Sequence, residues 1–319
     1  MSVSLELEKH RRFIVGFSGS SDSLQHSLSD YLRINGIYWS LCGLSLMDPE
    51  YIRSDFNEEE IISFTLACRN GTGGFGGFPG FDASLVYTLS AIQVLALYDA
   101  LDRIEDVEKT VSWIASLQHE NGSFQGDHHF PDVDTRFVYC AVASLSILDR
   151  LDAIDCSKTI SYIVSCQNWD GGFGLKPGRE SHAAQAFCCV GAVSILKSVD
   201  SIDKDSLVFW LSTRQDTNTG GLNGRPDKDP DVCYSWWVVS TLAILDSLSF
   251  IDVPRLVTFV RRAQDVVDGG IADRPEHMAD IYHTFFGLAG IALLDETGGL
   301  KAIDPTYALP VDVVARILG

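Results

Sequence analysis

Apolar residues recur along this chain in two alternating patterns. One is a run apolar on nearly every side: Leu85–Leu97, Phe137–Leu148, Phe187–Leu196, Trp236–Leu245 and Phe285–Leu294. The other is amphipathic. Glu105–Leu117 sets Val107, Val111, Ile114 and Ala115 on one face and Glu105, Glu108 and Lys109 elsewhere; Asp155–Cys166, Lys204–Thr213 and Val253–Gln264 behave likewise. Before each apolar run stands a small pair: Gly73-Gly74, Gly122-Ser123, Gly171-Gly172, Gly220-Gly221 and Gly269-Gly270. Their first members fall every 49 residues (122−73, 171−122, 220−171, 269−220). Gln118, Gln167, Gln215 and Gln264 precede four of the pairs, with Arg69 in the corresponding place before the first. One period back from Tyr87 lands on Tyr38, inside the apolar run Tyr31–Met47, which lacks a glycine pair. The pattern predicts six repeats, each an amphipathic outer helix stopped by a glycine turn and followed by a buried inner helix.

A helix apolar all round must be covered on most of its surface. Six such helices in an inner ring, sheathed by the amphipathic set, meet that demand. An open solenoid has the same period but needs polar-faced end caps, and none is visible. The expected fold is all-α, a closed α/α toroid forming one domain over residues 1–319, with 1–28 as an N-terminal extension and 296–319 as a C-terminal closing segment. Closure would bring the inner-helix starts to one mouth. Eleven residues past the first glycine lie His182, Asp231 and Asp280; thirteen past, Cys233 and Tyr282; fourteen past, Arg136, Tyr234 and His283.

Chemistry gathers at those positions. Asp231, Cys233 and His283 are competent zinc ligands, and three protein ligands leave an open catalytic position on the ion. A carboxylate and a thiolate neutralise Zn²⁺, which favours activation of an incoming thiol. The plain alternative is a helix-capping Asp, a buried Cys and a hydrogen-bonded core His. Arg225 and Lys228, with Tyr234, His182 and Arg136 at neighbouring inner-helix starts, offer donors for a diphosphate. Against that stands local pairing of Arg225 and Lys228 with Asp227 and Asp229. Tyr38, Trp39, Trp236, Trp237, Tyr282, Phe285 and Phe286 either line an apolar tunnel through the ring or are simply core.

Composition narrows the class. With 46% hydrophobic and 21% charged residues the chain reads as globular. A net charge of −19 argues against nucleic acid, whose phosphates need a basic face. No run is apolar and long enough to cross a bilayer, no signal-peptide pattern opens the chain, and Ser2 excludes N-myristoylation. The eight cysteines lack CxxC spacing and do not read as a disulfide framework, so a cytoplasmic, reduced setting is expected.

These stretches resemble the β subunits of protein prenyltransferases, within them the Rab-directed, type-2 geranylgeranyl branch. The resemblance is carried by YLRINGIYW (31–39), LVYTLSAIQVL (85–95), DTRFVYCAVA (134–143), SHAAQAFCCVG (181–191), GRPDKDPDVCYSWW (224–237) and YHTFFGLAG (282–290). It implies an α6–α6 barrel, zinc on Asp231, Cys233 and His283, and geranylgeranyl diphosphate contacts from His182, Arg225, Lys228, Tyr234 and Arg136, with Trp237 and Trp39 lining the lipid pocket. It implies Mg²⁺ assistance at Asp273. It also implies, through Asn35, a pocket open to a twenty-carbon donor, since farnesyl-specific members carry a bulky Trp there. The implied partners are a prenyltransferase α subunit in a heterodimer, a Rab escort protein and Rab GTPases whose C-terminal cysteines are modified. The competing readings are a farnesyl or type-1 geranylgeranyl β subunit, a terpene cyclase, and a toroidal protein-binding scaffold. The chain has no Asp-x-Asp-Asp motif, and Cys233 would be idle in a cyclase.

Overall fold

The computed structural model describes residues 4–18, 30–294 and 299–319. Two sets of helices alternate along the chain. The outer set is α1 (Leu7–Ser18), α3 (Glu58–Ala67), α5 (Val107–Ala115), α7 (Cys156–Ser165), α9 (Lys204–Ser212) and α11 (Val253–Arg262). The inner set is α2 (Arg33–Met47), α4 (Leu85–Leu97), α6 (Thr135–Ile147), α8 (Ala183–Ile195), α10 (Tyr234–Ile244) and α12 (Ile281–Leu294). Each inner helix packs on the next, and α12 returns to pack on α2. The ring is closed.

Local chemistry explains the elements. Asn57, Asp155, Asp203 and Asp252 cap α3, α7, α9 and α11, each side chain accepting a bond from a backbone amide of the first turn. Several inner helices begin earlier than the apolar runs suggested, because their first turns carry polar or small residues such as Ala183-Ala184-Gln185. Phe75, Phe124, Phe173, Leu222 and Ile271 recur one period apart and are wholly buried. Each is a side chain whose burial is worth roughly 1.5–3 kcal/mol.

The glycine pairs do not stop the outer helices, as the sequence suggested. Those helices end several residues earlier, and the caps Cys68, Cys166 and Ala263 remain in right-handed helical geometry. The first glycines instead sit at φ of 80–106°. A Cβ there would come within 2.7 Å of Lys109, Lys158, Ser206, Arg255 or Lys9 on the next outer helix, so only glycine lets the turn seat on it. The conserved spacing of glutamine has an equally local cause. Gln118 donates to the Asp155 carbonyl (3.1 Å) and accepts from its amide (2.9 Å); Gln167 clasps Asp203 and Gln215 clasps Asp252 in the same way. Gln264 reaches Ser4 O (2.7 Å) and Glu6 N (3.1 Å). The start of the chain therefore closes the outer ring. Of the segment expected as an extension, 1–28, residues 7–18 are an outer helix, while 1–3 and 19–28 lie outside the described residues.

The C-terminal segment corrects the expected open tunnel. β1 (Ile303–Asp304) and β2 (Leu309–Pro310) form an antiparallel hairpin before α13 (Val311–Leu318). Inward-facing residues of three inner helices donate to its turn: Tyr38 to Ala308 O (2.6 Å), Gln93 to Tyr307 O (3.0 Å) and Tyr139 to Thr306 O (2.7 Å). The Tyr307 hydroxyl bonds Ser146 Oγ at 2.8 Å. This hairpin floors the ring at the C-terminal side of the inner helices. What remains is a blind funnel open at their N-termini.

Candidate functional site

The funnel's mouth is built by turns that place polar side chains at inner-helix starts. In the turn before α10, the Asp231 amide bonds Leu222 O (3.0 Å), and the Val232 amide bonds Asp273 O (2.7 Å) in the adjacent unit. Asp231 and Cys233 therefore face His283 on α12, and the ligand atoms of all three lie within 4.8 Å of one another. His283 Nε2 is 3.3 Å from Asp231 Oδ1. On the other side of the ring, His283 Nδ1 meets Asp280 Oδ2 at 2.6 Å, so Asp280 fixes the imidazole and leaves Nε2 turned to the cluster. Asp280 shares Asp231's register, 49 residues on, and that spacing was its only signal in the sequence.

Electrostatics favour a cation here. Burial, then the charge of Asp231, push the Cys233 thiol far above its ordinary range. Burial alone would depress His283, but hydrogen bonds to Asp231 and Asp280 raise it to about 9. Burial also works to raise Asp231, yet bonds from His283 and Cys233 outweigh it and hold that carboxylate below its usual range. A positive ion reverses the penalty on the thiolate, since a coordinating thiol is deprotonated outright. The donor set of carboxylate, thiolate and imidazole fits zinc.

Beside the triad, His182 caps α8 through Nδ1, which accepts from the Ala184 amide at 3.2 Å. Its Nε2 lies 3.2 Å from the Tyr234 hydroxyl. Burial, followed by the positive charge of Arg225, lowers the pKa of His182. Gly224 lies flat on Tyr234: a Cβ there would stand 2.3 Å from the hydroxyl. That close approach brings Arg225 near enough for its charge to act on both His182 and Tyr234. Arg225 pairs with Glu180 and Asp229 with Arg274, so among the described residues the alternative pairing of Arg225 with Asp227 or Asp229 does not form. Glu180 was not foreseen as a site residue. Arg136 is held by Asp134 at 2.8 Å, and its charge also acts on His182. Lys228 is exposed on the same loop.

The Asp273 carboxylate meets Arg274 (3.0 Å) and His277 (3.0 Å), and Arg274 also reaches Asp229 (2.9 Å). Below the triad an aromatic wall runs from helix to helix. Trp39 contacts Tyr282 (ring centroids 5.1 Å), Tyr282 contacts Phe286 (4.7 Å), Phe286 contacts Trp237 (4.5 Å) and Trp237 contacts Phe187 (5.1 Å). Trp39, Trp237 and Tyr282 are half-buried and available to a ligand, whereas Trp236, Phe285, Phe286 and Tyr38 are core. Asn35 lies on the same face of α2 as Trp39, bonded to Ser90 Oγ at 2.9 Å, with its own Oδ1 buried and unpartnered.

The profile of the prenyltransferase alpha-alpha toroid domain matches residues 5–309. The chain belongs to this prenyltransferase family. It is 46% identical over 230 residues to the geranylgeranyl transferase type-2 subunit beta of Saccharomyces cerevisiae, spanning 70% of this chain and 69% of that one. It is 51% identical over 222 residues to the type-2 subunit beta 1 of Arabidopsis thaliana (70% and 67%). The protein farnesyltransferase subunit beta of Schizosaccharomyces pombe is 28% identical over 227 residues (70% and 58%). In fold, a Candida albicans protein geranylgeranyltransferase-I, solved in complex with GGPP, superposes with a TM-score of 0.86 at 21% identity, covering 98% of each chain. The type II terpene cyclase MstE from Scytonema gives 0.56 at 13% identity over 82% and 79%. The ring is thus shared with cyclases, while sequence kinship places this prenyltransferase β subunit with the type-2 geranylgeranyl enzymes.

Proposed function

We propose that this chain is the zinc-bearing β subunit of a heterodimer that transfers geranylgeranyl from geranylgeranyl diphosphate to C-terminal cysteines of Rab GTPases presented by an escort protein. The observation that carries the reading is the convergence of Asp231, Cys233 and His283 within 4.8 Å at the mouth of an aromatic-walled funnel. Those three side chains would hold the ion. When bound, zinc would lower the pKa of the incoming cysteine thiol and keep it as a nucleophile near neutral pH.

The protein's own groups do the rest. Asp280 keeps His283 in one orientation and tautomer. Arg225, Arg136, His182 and the Tyr234 hydroxyl, beside the α8 and α10 N-termini, face the oxygens of the donor's diphosphate and stabilise charge as the carbon–oxygen bond breaks. Arg225 exchanges Glu180 for those oxygens when the donor enters. Trp39, Tyr282 and Trp237 exclude water along the isoprenoid. A carbon–sulfur bond forms, the thiol proton is lost and pyrophosphate departs.

The test is transfer of labelled geranylgeranyl to a cysteine-tailed Rab, with the α subunit and escort supplied and farnesyl diphosphate as competitor. Cys233→Ala is expected to lose stoichiometric zinc and transfer while keeping its helix content. Full zinc retention in that variant removes the ligand assignment, and dominant farnesyl transfer removes the type-2 reading.

A further inference from the structure

The loop 223–230 that carries Arg225 and Lys228 is exposed from Pro226 to Asp229 and passes through Asp227 at φ 63°. At the same register Gly80 and Gly178 use glycine for the left-handed turn, and Glu276 adopts it without glycine at φ 72°. An aspartate adopts this conformation less readily than glycine does, so a brace beneath the loop helps to fix its path. Such a brace lies beneath it. Arg214 is 6% exposed, yet it forms no ion pair among the described residues. Its Nε donates to Trp210 O (3.3 Å), Nη2 to Thr213 Oγ1 (3.1 Å) and Nη1 to Asn223 Oδ1 (3.4 Å). The guanidinium carbon also stacks 4.6 Å from the Trp210 ring centroid. At the corresponding place, directly before Arg69, Gln118, Gln167 and Gln264, the other repeats have Cys68, Leu117, Cys166 and Ala263, all buried. A buried, unpaired guanidinium is costly where an apolar side chain suffices. It occurs only in the repeat whose loop bears Arg225.

Asn223 completes the brace. Its amide nitrogen bonds Arg214 O at 3.0 Å, its side-chain oxygen accepts from Arg214, and its Nδ2 donates to Lys228 O at 3.0 Å. A carboxamide, with an acceptor oxygen and a donor nitrogen on one planar group, serves both contacts at once. We propose that Arg214 and Asn223 are positioning residues that hold the 223–230 loop where Arg225 meets the diphosphate. This rests on the diphosphate reading given above.

The assembled enzyme, with its α subunit, supplies the test. Arg214→Met keeps the apolar stem on Trp210 and removes the donors; Asn223→Ala cuts the link to Lys228 O. Both are expected to raise the inhibition constant of inorganic pyrophosphate and the Kd of geranylgeranyl diphosphate together, about tenfold. Zinc content and the KM for the protein substrate should stay as in the wild type, and Arg214→Lys should recover part of the pyrophosphate affinity. Wild-type pyrophosphate inhibition in both variants, with only the melting temperature lowered, overturns the proposal. If Arg214→Met fails to fold, Asn223→Ala on the surface loop decides alone. Arg225→Ala separates the two readings. If it weakens pyrophosphate while the brace variants do not, the positioning role falls; if it too leaves pyrophosphate unaffected, the diphosphate reading falls.

Discussion

Cys233, His283 and Asp280 illustrate how far single residues carry the function. The thiol is buried beside an anion and, left to itself, stays protonated. The imidazole is held by a carboxylate on each ring nitrogen. A divalent cation resolves both conditions at once, which is why the donor types matter more than their exposure. Asp280 would act on a bound ion through His283. Asp280→Asn keeps the shape but weakens the acceptor for Nδ1, so zinc affinity should fall about 10–100-fold. Competition with a chelating dye measures it, and an affinity equal to that of the parent would take Asp280 out of the site. The donor types of the triad were readable in the sequence because they fall at fixed offsets from the glycine pairs. Glu180 and Asn223 were not readable: each acts on a residue of its own or the next repeat across a turn whose path only the fold shows.

Among the elements, α1 is the one whose role the apolar pattern missed. It carries His10, wholly buried, whose Nδ1 accepts from the Gly270 amide (2.9 Å) and whose Nε2 meets Gln264 Oε1 (3.2 Å). Burial drives its pKa down to about 4, against weaker upward pulls from Gln264, Glu6 and Asp265. The unfolded chain binds this proton near pH 6.5 and the folded chain does not. His10 therefore adds stability that is fully present above pH 6.5 and lost as pH falls toward 4. Over the span from pH 6.5 to 5 the loss is about 2 kcal/mol. Urea denaturation at several pH values should show that slope in the parent and a flatter one in His10→Gln. Equal slopes would mean that the latch between α1 and the last glycine turn does not titrate. Outer helices such as α7 and α11 were visible from periodicity, since their buried faces repeat at helical spacing. α1 escaped because the apolar run that follows it, Tyr31–Met47, lacks a glycine pair of its own.

For the whole molecule, closure is the decisive property, and it is secured twice. Gln264 ties the last repeat to the start of the chain, and the C-terminal hairpin ties three inner helices together from inside. Tyr307 sits at the centre of that floor, 8% exposed and bonded to Ser146. Truncation to Ala leaves a cavity among the inner helices and orphans a buried hydroxyl, so Tyr307→Ala should cost about 3–5 kcal/mol. A thermal melt is the measure; a shift of only a degree or two would show that the ring closes without its floor. The same hairpin turns an expected channel into a funnel, placing any lipid end against hydrogen-bonded polar groups. Among the described residues no helix is long and apolar enough to cross a membrane. The cysteines are all free and mostly buried, as their spacing suggested.

The sequence by itself determined the repeat, the helical class, the closed ring and the identities of the side chains that converge at its mouth. Each of these follows from periodicity, and periodicity is a property of local order: buried faces, capping residues and glycines that must let a backbone approach. Tertiary structure alone decided which groups pair across turns, that the first helix belongs to the ring, and that the far end is shut. Those outcomes depend on contacts between residues up to 270 positions apart, as between Tyr38 and Ala308, and no local pattern encodes such partners.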